Sequence, residues 1–490
     1  MFSPLHPLWR AVALALGATL LFIASIAPSA RAAGKSPAAA GAVGWSVQTL
    51  QALAGERGLE VAGLAHAWHL AQENDPGYQQ ALNTLLAAQT ERRQGRSNLL
   101  PQVQAGYYRG RIRGERTVLN APPALARAEL DYDSQTTYIQ LQQPVVNYGR
   151  YAEYRRGVAL AESGEAQFIV DEHERLLELA DIYFRTLLAH EQLVLDQALA
   201  ASLAEQADTY DALYQQAEAT RIDAQEVRAR LSLAQADVIL ARDTLQTAQR
   251  ELQAMLGELP RQLAGPGAVF SPQPLSPASL SQWLELGRGM NAELRAAQAR
   301  LRVADANVER ARARHLPELD LVANWSKADS ENLSTLSQNS NTYSVGLNLA
   351  IPIFSGGYDT ATNARARAEQ RQVSHELQAT AEKVAADIVR HYTAVTGGAL
   401  RMAALETAEE SGRQALEAAR QGYKHGLSSN VDVLKQQEGL YRTRHELIKS
   451  RFDYLSSLIK LWVAAGVFDA SRLRDLDNAY LGRPVTLTPR

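Results

Sequence analysis

The sequence predicts a mainly α-helical fold with a small β part, built from one unit that occurs twice. Residues 165–256 contain neither glycine nor proline, which is far longer than an average helix and predicts a long helical hairpin or rod. Short segments with strict two-residue alternation predict strands. Equivalent residues recur at a constant spacing, because Tyr423 follows Tyr214 and Asp432 follows Asp223 by the same 209 residues.

The N-terminal residues have the pattern of an export signal. Residues 1–32 contain Arg10, then an apolar run, then an Ala-x-Ala cleavage motif at residues 30–32, and they predict a secretory signal peptide. A retained N-terminal membrane anchor is the alternative. Residues 33–61 are rich in alanine and glycine at their start and weakly patterned, and are interpreted as a mobile extension.

The first copy of the unit is placed at residues 62–259. Asn74-Asp75-Pro76 predicts a helix start, because a polar cap precedes proline in the first turn. In order, the predicted elements are a helix over 75–98, strands over Gln102–Arg113 and Gln135–Val145 joined by a loop with Pro122-Pro123, and the helical hairpin.

The second copy is placed at residues 289–467, after a Pro- and Gly-rich linker at 260–288. In order, its predicted elements are a helix over Asn291–Arg314, strands over Glu318–Ser326 and Tyr343–Ile351, and a second pair of long helices. No proline occurs between Pro352 and Pro484, and Gly397-Gly398 is expected to mark a bend or a close contact within one of these helices. Residues 468–490 are expected to form a C-terminal tail.

The helix after the first turn carries apolar residues at alternating steps of three and four, which is a heptad stripe. The stripe consists of Ala224, Val227, Leu231, Ala234, Val238, Ala241, Leu245, Ala248 and Leu252. It predicts coiled-coil packing between antiparallel helices. A helical bundle in a water-soluble scaffold would show the same stripe.

The strand before the last pair of helices has two different faces. Tyr343, Val345 and Leu347 alternate with Ser344 and Gly346. About ten alternating residues suffice for a tilted strand to cross a bilayer, with apolar side chains toward lipid. A half-buried strand of an ordinary soluble sheet is the alternative.

Four predicted strands per chain cannot close a membrane barrel, because about eight are needed even for a barrel filled by side chains. Open strand edges cannot face lipid. If these strands span a membrane, several chains must therefore pool them, and three chains would supply twelve strands around a polar lumen.

Composition excludes several classes of function. The formal net charge of −3 gives no reason to expect nucleic acid. The absence of cysteine excludes disulfides and thiolate metal ligands, and predicts export without a lipid tether on cysteine. Scattered histidines predict no metal site, and no nucleophile elbow, P-loop or HExxH motif suggests catalysis, so neither enzymatic activity nor a cofactor is expected.

The order, spacing and duplication of these elements resemble a TolC-type outer-membrane channel over residues 62–466. The matching stretches are NDPGY at Asn74–Tyr78, IPIFSGG at Ile351–Gly357 and GYKHGLSSNVDVL at Gly422–Leu434. The resemblance implies a homotrimer in outer-membrane lipid, with four transmembrane strands per chain in a shared twelve-stranded β-barrel and a long periplasmic α-barrel of coiled-coil helices. It also implies two partners, a periplasmic adaptor protein and an inner-membrane ABC or proton-driven transporter.

The resemblance further implies which residues form the periplasmic mouth. Asp432 matches an aspartate that threefold symmetry makes into a pore ring, and Asp223 and Tyr423 match members of a polar link that closes the mouth. Lys435 stands where a second aspartate is found in the family and Ser428 where an arginine is found, so a weaker cation preference and a different closing contact are expected. Both aspartates also suit the first turn of a helix, where the dipole favours carboxylates, and the two roles can hold together.

The predicted function is therefore an outer-membrane export duct. The lack of a lipid-anchor cysteine favours a type I secretion duct or a general-purpose duct over a dedicated drug-efflux channel. The predicted cargo route is type I secretion, and a multidrug or metal efflux duct is the alternative. A hypothesis of a different class is a non-pore periplasmic coiled-coil scaffold with a small sheet.

Overall fold

The computed structural model describes residues 60–117, 127–267, 270–330 and 338–487. The predicted signal peptide, nearly all of the predicted extension and the loop with Pro122-Pro123 lie outside these residues. The helices within them are α1 Leu64–Asn74, α2 Pro76–Ser97, α3 Tyr148–Gln215, α4 Arg221–Leu256, α5 Leu280–Met290, α6 Ala292–Ala313, α7 Tyr358–Lys424, α8 Asn430–Ala464 and α9 Ala470–Tyr480. The strands are β1 Glu60–Val61, β2 Gln102–Thr117, β3 Arg127–Asn147, β4 Gln262–Pro266, β5 Glu318–Ser330, β6 Gln338–Ala350 and β7 Leu481–Thr486.

The chain is mainly helical with a small β part, as predicted, and its two halves have the same order of elements. Helices α2 and α6 each have 22 residues, α3 and α7 have 68 and 67, and α4 and α8 have 36 and 35. Asp75 caps α2 by accepting from the backbone N–H groups of Gly77 and Tyr78. In the described ranges, no helix combines the length and the apolar character that crossing a membrane requires.

The heptad stripe of α4 is the face that packs on α3, as predicted. Ala224 and Val227 of α4 form one apolar cluster with Leu203 and Ala207 of α3. Val227 is completely buried, as is Leu252 near the far end of the same stripe. The seam between the two antiparallel helices therefore consists of the residues that the 3–4 spacing selected.

The two hairpin turns have the same backbone although their sequences differ. Ala217 in the first turn has φ 63° and Gly426 in the second has φ 70°. The N–H of Leu427 donates to the carbonyl of Gly422 at 2.8 Å, and an equivalent bond closes the first turn. Glycine adopts this left-handed conformation at little cost, whereas a residue with a Cβ pays about 1–2 kcal/mol. The first turn therefore keeps a shape that its sequence does not favour.

Strands β2, β3, β5 and β6 form one antiparallel sheet in that order. β2 begins at the predicted residue but continues to Thr117, and β5 continues to Ser330. β3 begins at Arg127 and ends at Asn147, whereas Gln135–Val145 was predicted. The predicted bounds were too narrow because charged residues remain in the ladder as cross-strand pairs, such as Arg111 of β2 with Asp131 of β3 at 2.7 Å. β6 ends at Ala350, so the predicted last residue Ile351 lies just beyond it.

A second sheet corrects the linker and the tail that the sequence predicted. It has the order β1-β4-β7, and it draws β4 from residues 260–288 and β7 from residues 468–490. The short β4 shows no strand pattern in its own sequence. It is stabilised by pairing with β1 and β7, which lie far away in sequence. The Tyr183 hydroxyl donates to the carbonyl of Ala264 at 2.7 Å and fixes β4 against α3.

A carboxylate of helix α9 binds the start of α1. Asp477 of α9 accepts the N–H groups of Leu64 and Ala65, both at 2.9 Å. A Cβ on Gly63 would lie 2.3 Å from Asp477 Oδ2, so glycine permits this approach. Burial raises the pKa of Asp477 to about 6, against the two backbone hydrogen bonds that lower it. The contact between α1 and α9 therefore includes a group that titrates near neutral pH.

We expect this contact to become weaker as pH rises through 6. Because the folded-state pKa of Asp477 lies above its ordinary 3.8, the associated stability is fully present below pH 3.8 and is lost above about 6. The rise in the pKa of Asp477 from 3.8 to about 6 corresponds to about 3 kcal/mol of folding free energy at most. Thermal unfolding from pH 4.5 to 7.5 should show the wild type losing stability relative to Asp477→Asn. Parallel pH profiles would contradict the assignment to Asp477.

Candidate functional site

The four-stranded sheet has one continuous apolar face. Its register aligns Val345 of β6 with Ala323 of β5, Leu141 of β3 and Val103 of β2. The adjacent row consists of Tyr343, Trp325, Ile139 and Ala105. These side chains are open to the surroundings of a single chain, and Leu347 is 66% exposed. The alternation predicted strand by strand therefore adds up to one apolar surface.

The opposite face of the same sheet is polar. Gln104 Nε2 donates to Gln140 Oε1 at 3.0 Å, and Gln142 Nε2 donates to Asp320 Oδ2 at 2.8 Å. The row through Gln140 ends on β6 at Ser344. Among the described residues, β2 and β6 each pair on one side only, so the sheet has two open edges. Such a sheet suits a wall between an apolar and an aqueous medium once its edges are paired.

The hairpin turns lie far from this sheet. Helix α3 starts at Tyr148, directly after β3 ends at Asn147, and it runs for 68 residues. At a rise of 1.5 Å per residue the first turn lies about 100 Å along the helix from the sheet. Helix α7 has nearly the same length, so the second turn lies at a similar distance. The predicted mouth residues are therefore grouped at the ends of the two hairpins.

The two predicted aspartates both cap helices. Asp432 Oδ2 accepts from the backbone N–H and the hydroxyl of Ser429, at 3.0 and 2.7 Å, and its own N–H donates to that hydroxyl. Asp223 forms the same capping box with Thr220 in the first hairpin. Hydrogen bonds lower the pKa of Asp432, and the bond from the Ser429 hydroxyl has a larger effect than the bond from the Ser429 N–H. The positive charge of Lys435 lowers this pKa further. Asp432 therefore stays ionised throughout the neutral range while its side chain remains exposed.

Ser428 and Lys435, the two residues expected to differ from the family pattern, lie within four residues of Asp432 in the sequence. Lys435 is exposed one turn further along α8, close enough for its charge to act on Asp432. Ser428 folds back over the preceding helix, since a Cβ on Gly422 would lie 2.5 Å from Ser428 Oγ. The absence of a side chain at Gly422 makes room for this contact. In one chain, Ser428 therefore packs within its own turn.

Tyr423 contacts an aromatic residue that the sequence did not single out. Its ring lies 5.9 Å from the ring of Tyr210 on α3, centroid to centroid. The pKa of Tyr210 is raised above its ordinary value, chiefly by burial. Hydrogen bonding to Tyr423 and the negative charge of Asp223 raise it further. The carboxylate of Asp223 is meanwhile held by Thr220. The structure thus brings Tyr423, Tyr210 and Asp223 into one neighbourhood, in which Tyr210 provides the contact between hairpins.

A polar seam joins the two hairpins of one chain further along. His445 Nε2 of α8 lies 2.8 Å from Asp196 Oδ1 of α3. Gln206 Nε2 donates to Gln437 Oε1 at 2.9 Å, and Gln437 in turn reaches Ser202 Oγ at 3.3 Å. The sequence analysis did not single out these residues, and it treated the histidines only as scattered. Polar residues within long helices are the only signal they give, and this signal does not distinguish a packed polar contact from a solvated one.

No group of three or more His, Asp or Glu residues that could hold a metal ion occurs in the part of the chain that the structure describes. The family model "Outer membrane efflux protein" matches residues 67–258 and 283–467.

Three proteins illustrate what the chain is similar to. It is 34% identical to the alkaline protease secretion protein AprF of Pseudomonas aeruginosa over 414 residues, covering 84% of this chain and 86% of that protein. It is 30% identical to the proteases secretion protein PrtF of Dickeya chrysanthemi over 434 residues, covering 87% and 93%. Its fold matches the Campylobacter jejuni CmeC outer membrane channel with a TM-score of 0.72 at 18% identity, covering 85% and 89%.

Proposed function

The chain belongs to the outer membrane efflux protein family, and we propose that within this family it is the outer-membrane duct of a type I secretion system. It is an outer-membrane efflux channel whose helices extend into the periplasm. The observation that carries the finer proposal is its identity to AprF and PrtF over most of their lengths, because both are named as protease secretion proteins. The cargo is then a protein rather than a drug or a metal ion.

The duct assembles as a homotrimer with a shared twelve-stranded barrel. The open edges of the four-stranded sheet support this assembly. The sheet has four strands with open edges at β2 and β6, and neither edge can be left facing lipid. When three copies assemble so that β6 of each copy pairs with β2 of the next, no strand edge is left open. In this barrel the row through Val345 faces lipid and the row through Gln140 faces water.

The hairpin ends form the periplasmic mouth of this duct. Asp432, Lys435 and Asp223 line the constriction, and Tyr423 and Ser428 provide contacts that close it. The support is their shared position at the ends of the hairpins, with Asp432 and Lys435 both exposed in a single chain. A periplasmic adaptor protein and an inner-membrane ABC transporter dock at this end and deliver the cargo.

Deleting the gene in its host tests this proposal. Loss of a secreted protein from the medium, with unchanged susceptibility to drugs and metals, is the expected result. Increased drug or metal sensitivity with normal protein secretion would instead support an efflux duct and contradict the proposal. Purified protein should also form pores in planar bilayers, which a non-pore scaffold would not do. Complementation with the wild-type gene provides the control.

A further inference from the structure

The apolar face of the four-stranded sheet continues into a row of arginines along β2. Every second residue of β2 lies on this face, and in chain order these residues are Val103, Ala105, Tyr107, Arg109, Arg111 and Arg113. The pairing of β2 with β3 keeps one register over this length, so no side chain changes face. The last three side chains, which we call the arginine row, are 61%, 58% and 69% exposed. One face of β2 therefore carries an apolar segment followed by a basic one.

The opposite face of this part of the hairpin carries no charge. Between Tyr108 and Gly114 the residues of that face are uncharged, and so are their partners on β3 between Leu130 and Thr136. All the charged side chains of these two segments lie on the face that continues the apolar surface. Water on both faces would not require such segregation, so the two faces meet different surroundings.

The arginine row begins where the apolar band ends. Tyr107 lies level with Lys327 of β5 and Asn341 of β6. The indole N–H of Trp325, one row below, donates to Asn341 Oδ1 at 2.7 Å, as suits an aromatic residue at a membrane interface. From Leu349 to Asn341 the strand rises about 27 Å, or about 20 Å along the membrane normal at a tilt of about 40°. This is close to the height of about 25 Å that an outer-membrane barrel presents to lipid.

The arginine row lies at the end of the sheet that is farthest from the long helices. Helix α3 follows β3 at Asn147, whereas the arginine row lies beside the other end of β3, near Asp131. Because the helices extend into the periplasm, this end of the sheet points to the cell exterior. The outer leaflet of an outer membrane consists of lipopolysaccharide, whose headgroup carries phosphates. Guanidinium groups match phosphate oxygens in charge and in shape.

Two aspartates hold the arginines in place without occupying all their donors. Arg111 Nε and Nη2 donate to the two carboxylate oxygens of Asp131, at 2.7 and 2.9 Å. Arg113 Nε lies 3.4 Å from Asp131, and Arg109 Nη2 lies 3.6 Å from Asp133. Since a guanidinium has five N–H donors, most donors of the row remain for another anion. The aspartates therefore orient the arginines and leave their outer edges open.

The neighbouring charges leave this region basic by only a small margin. Lys327 and Asp329 of β5 add one charge of each sign on the same face. Glu115 and Glu129 lie opposite each other one row further from the apolar band. Binding of an anion therefore depends on the placement of the guanidinium groups more than on a large net charge.

We propose that the arginine row binds the phosphate groups of lipopolysaccharide in the outer leaflet. The inference rests on the proposed outer-membrane duct and adds its lipid partner. Donors of the arginines that the aspartates leave open bond to phosphate oxygens, while Tyr107 packs at the top of the acyl chains. Each copy supplies one row, so a trimer binds three such headgroups.

Titration of the purified protein in detergent with bisphosphorylated lipid A tests the proposal, with native mass spectrometry counting the bound lipid. The double variant Arg109→Gln with Arg113→Gln should bind about 25-fold more weakly than the wild type, because each basic residue at an anionic membrane surface contributes about fivefold. Arg111 keeps its pair with Asp131 in this variant. The matched control is Asp131→Asn with Asp133→Asn, which removes the ion pairs but keeps the arginines. It should bind lipid A at least as tightly as the wild type.

A comparison of lipids on the wild type does not depend on how the variants fold. Lipid A without phosphates should bind as weakly as lipid A binds to the arginine variant, and equal binding of the two lipids would overturn the inference. Equal losses in both double variants would show that the arginines serve only to pair the strands. Displacement of lipid A by an equal concentration of inorganic phosphate would assign the row to free phosphate instead.

The failure of this inference can be distinguished from the failure of the proposed duct. A wild type that forms pores in planar bilayers but does not prefer phosphorylated lipid A would overturn the inference alone. A wild type that forms no pores would overturn the duct, and the inference with it.

Discussion

Replacing Leu347 by arginine should abolish insertion into the outer membrane, whereas replacing the adjacent Asn348 by arginine should leave insertion intact. Leu347 lies on the apolar face of β6 and pairs with Leu321 of β5. An arginine facing lipid near the middle of a bilayer costs about 2–4 kcal/mol, and a trimer would carry that cost three times. Asn348 lies on the polar face, where an arginine would project into the aqueous lumen.

Fractionation of cell envelopes measures this difference, together with pore formation in planar bilayers. Leu347→Arg should be missing from the outer-membrane fraction and form no pores. Asn348→Arg should be found in the outer-membrane fraction and should form pores. The pair is matched because both residues are exposed in a single chain and both lie within the same strand. A water-soluble sheet would tolerate the two substitutions equally. Equal membrane insertion of both variants would therefore contradict the shared barrel.

Elements with a local signal were predicted from the sequence. The cap at Asp75, the heptad stripe of α4 and the alternation in β6 each depend on residues within a few turns of one another. The second sheet could not be predicted in this way. β4 pairs with β1 and β7 across about 200 residues in each direction, and its five residues include a proline and a glycine that are typical of a linker.

The candidate site shows the same limit. Asp223 and Asp432 were found because the internal repeat marks them, and their Thr220 and Ser429 partners confirm that they suit the first turn of a helix. Tyr210 was missed, since a tyrosine at a heptad position indicates only core packing. Its partner Tyr423 lies on the other hairpin, and no sequence pattern connects the two helices.

Replacing Asp432 by alanine should largely abolish the weak cation preference of the pore. In the wild type, a ring of three Asp432 carboxylates would lie one turn from a ring of three Lys435 ammonium groups. Removing these carboxylates leaves the Lys435 ring balanced only by the Asp223 carboxylates, and clustered charges at a constriction set the selectivity. The reversal potential across a bilayer under a KCl gradient measures this preference. The opposite change, Lys435→Gln, should increase the preference for cations.

Loss of the helix cap must be separated from loss of the charge. Ser429→Ala removes the hydroxyl that bonds to Asp432 but keeps the carboxylate, so its selectivity at pH 7 should equal that of the wild type. Because hydrogen bonds from Ser429 lower the pKa of Asp432, the Ser429→Ala ring should lose its charge at a higher pH than the wild-type ring. An unchanged reversal potential in Asp432→Ala would remove Asp432 from the pore. A shift of the same size in Ser429→Ala at pH 7 would assign the effect to the shape of the turn, because in that variant the carboxylate is still present.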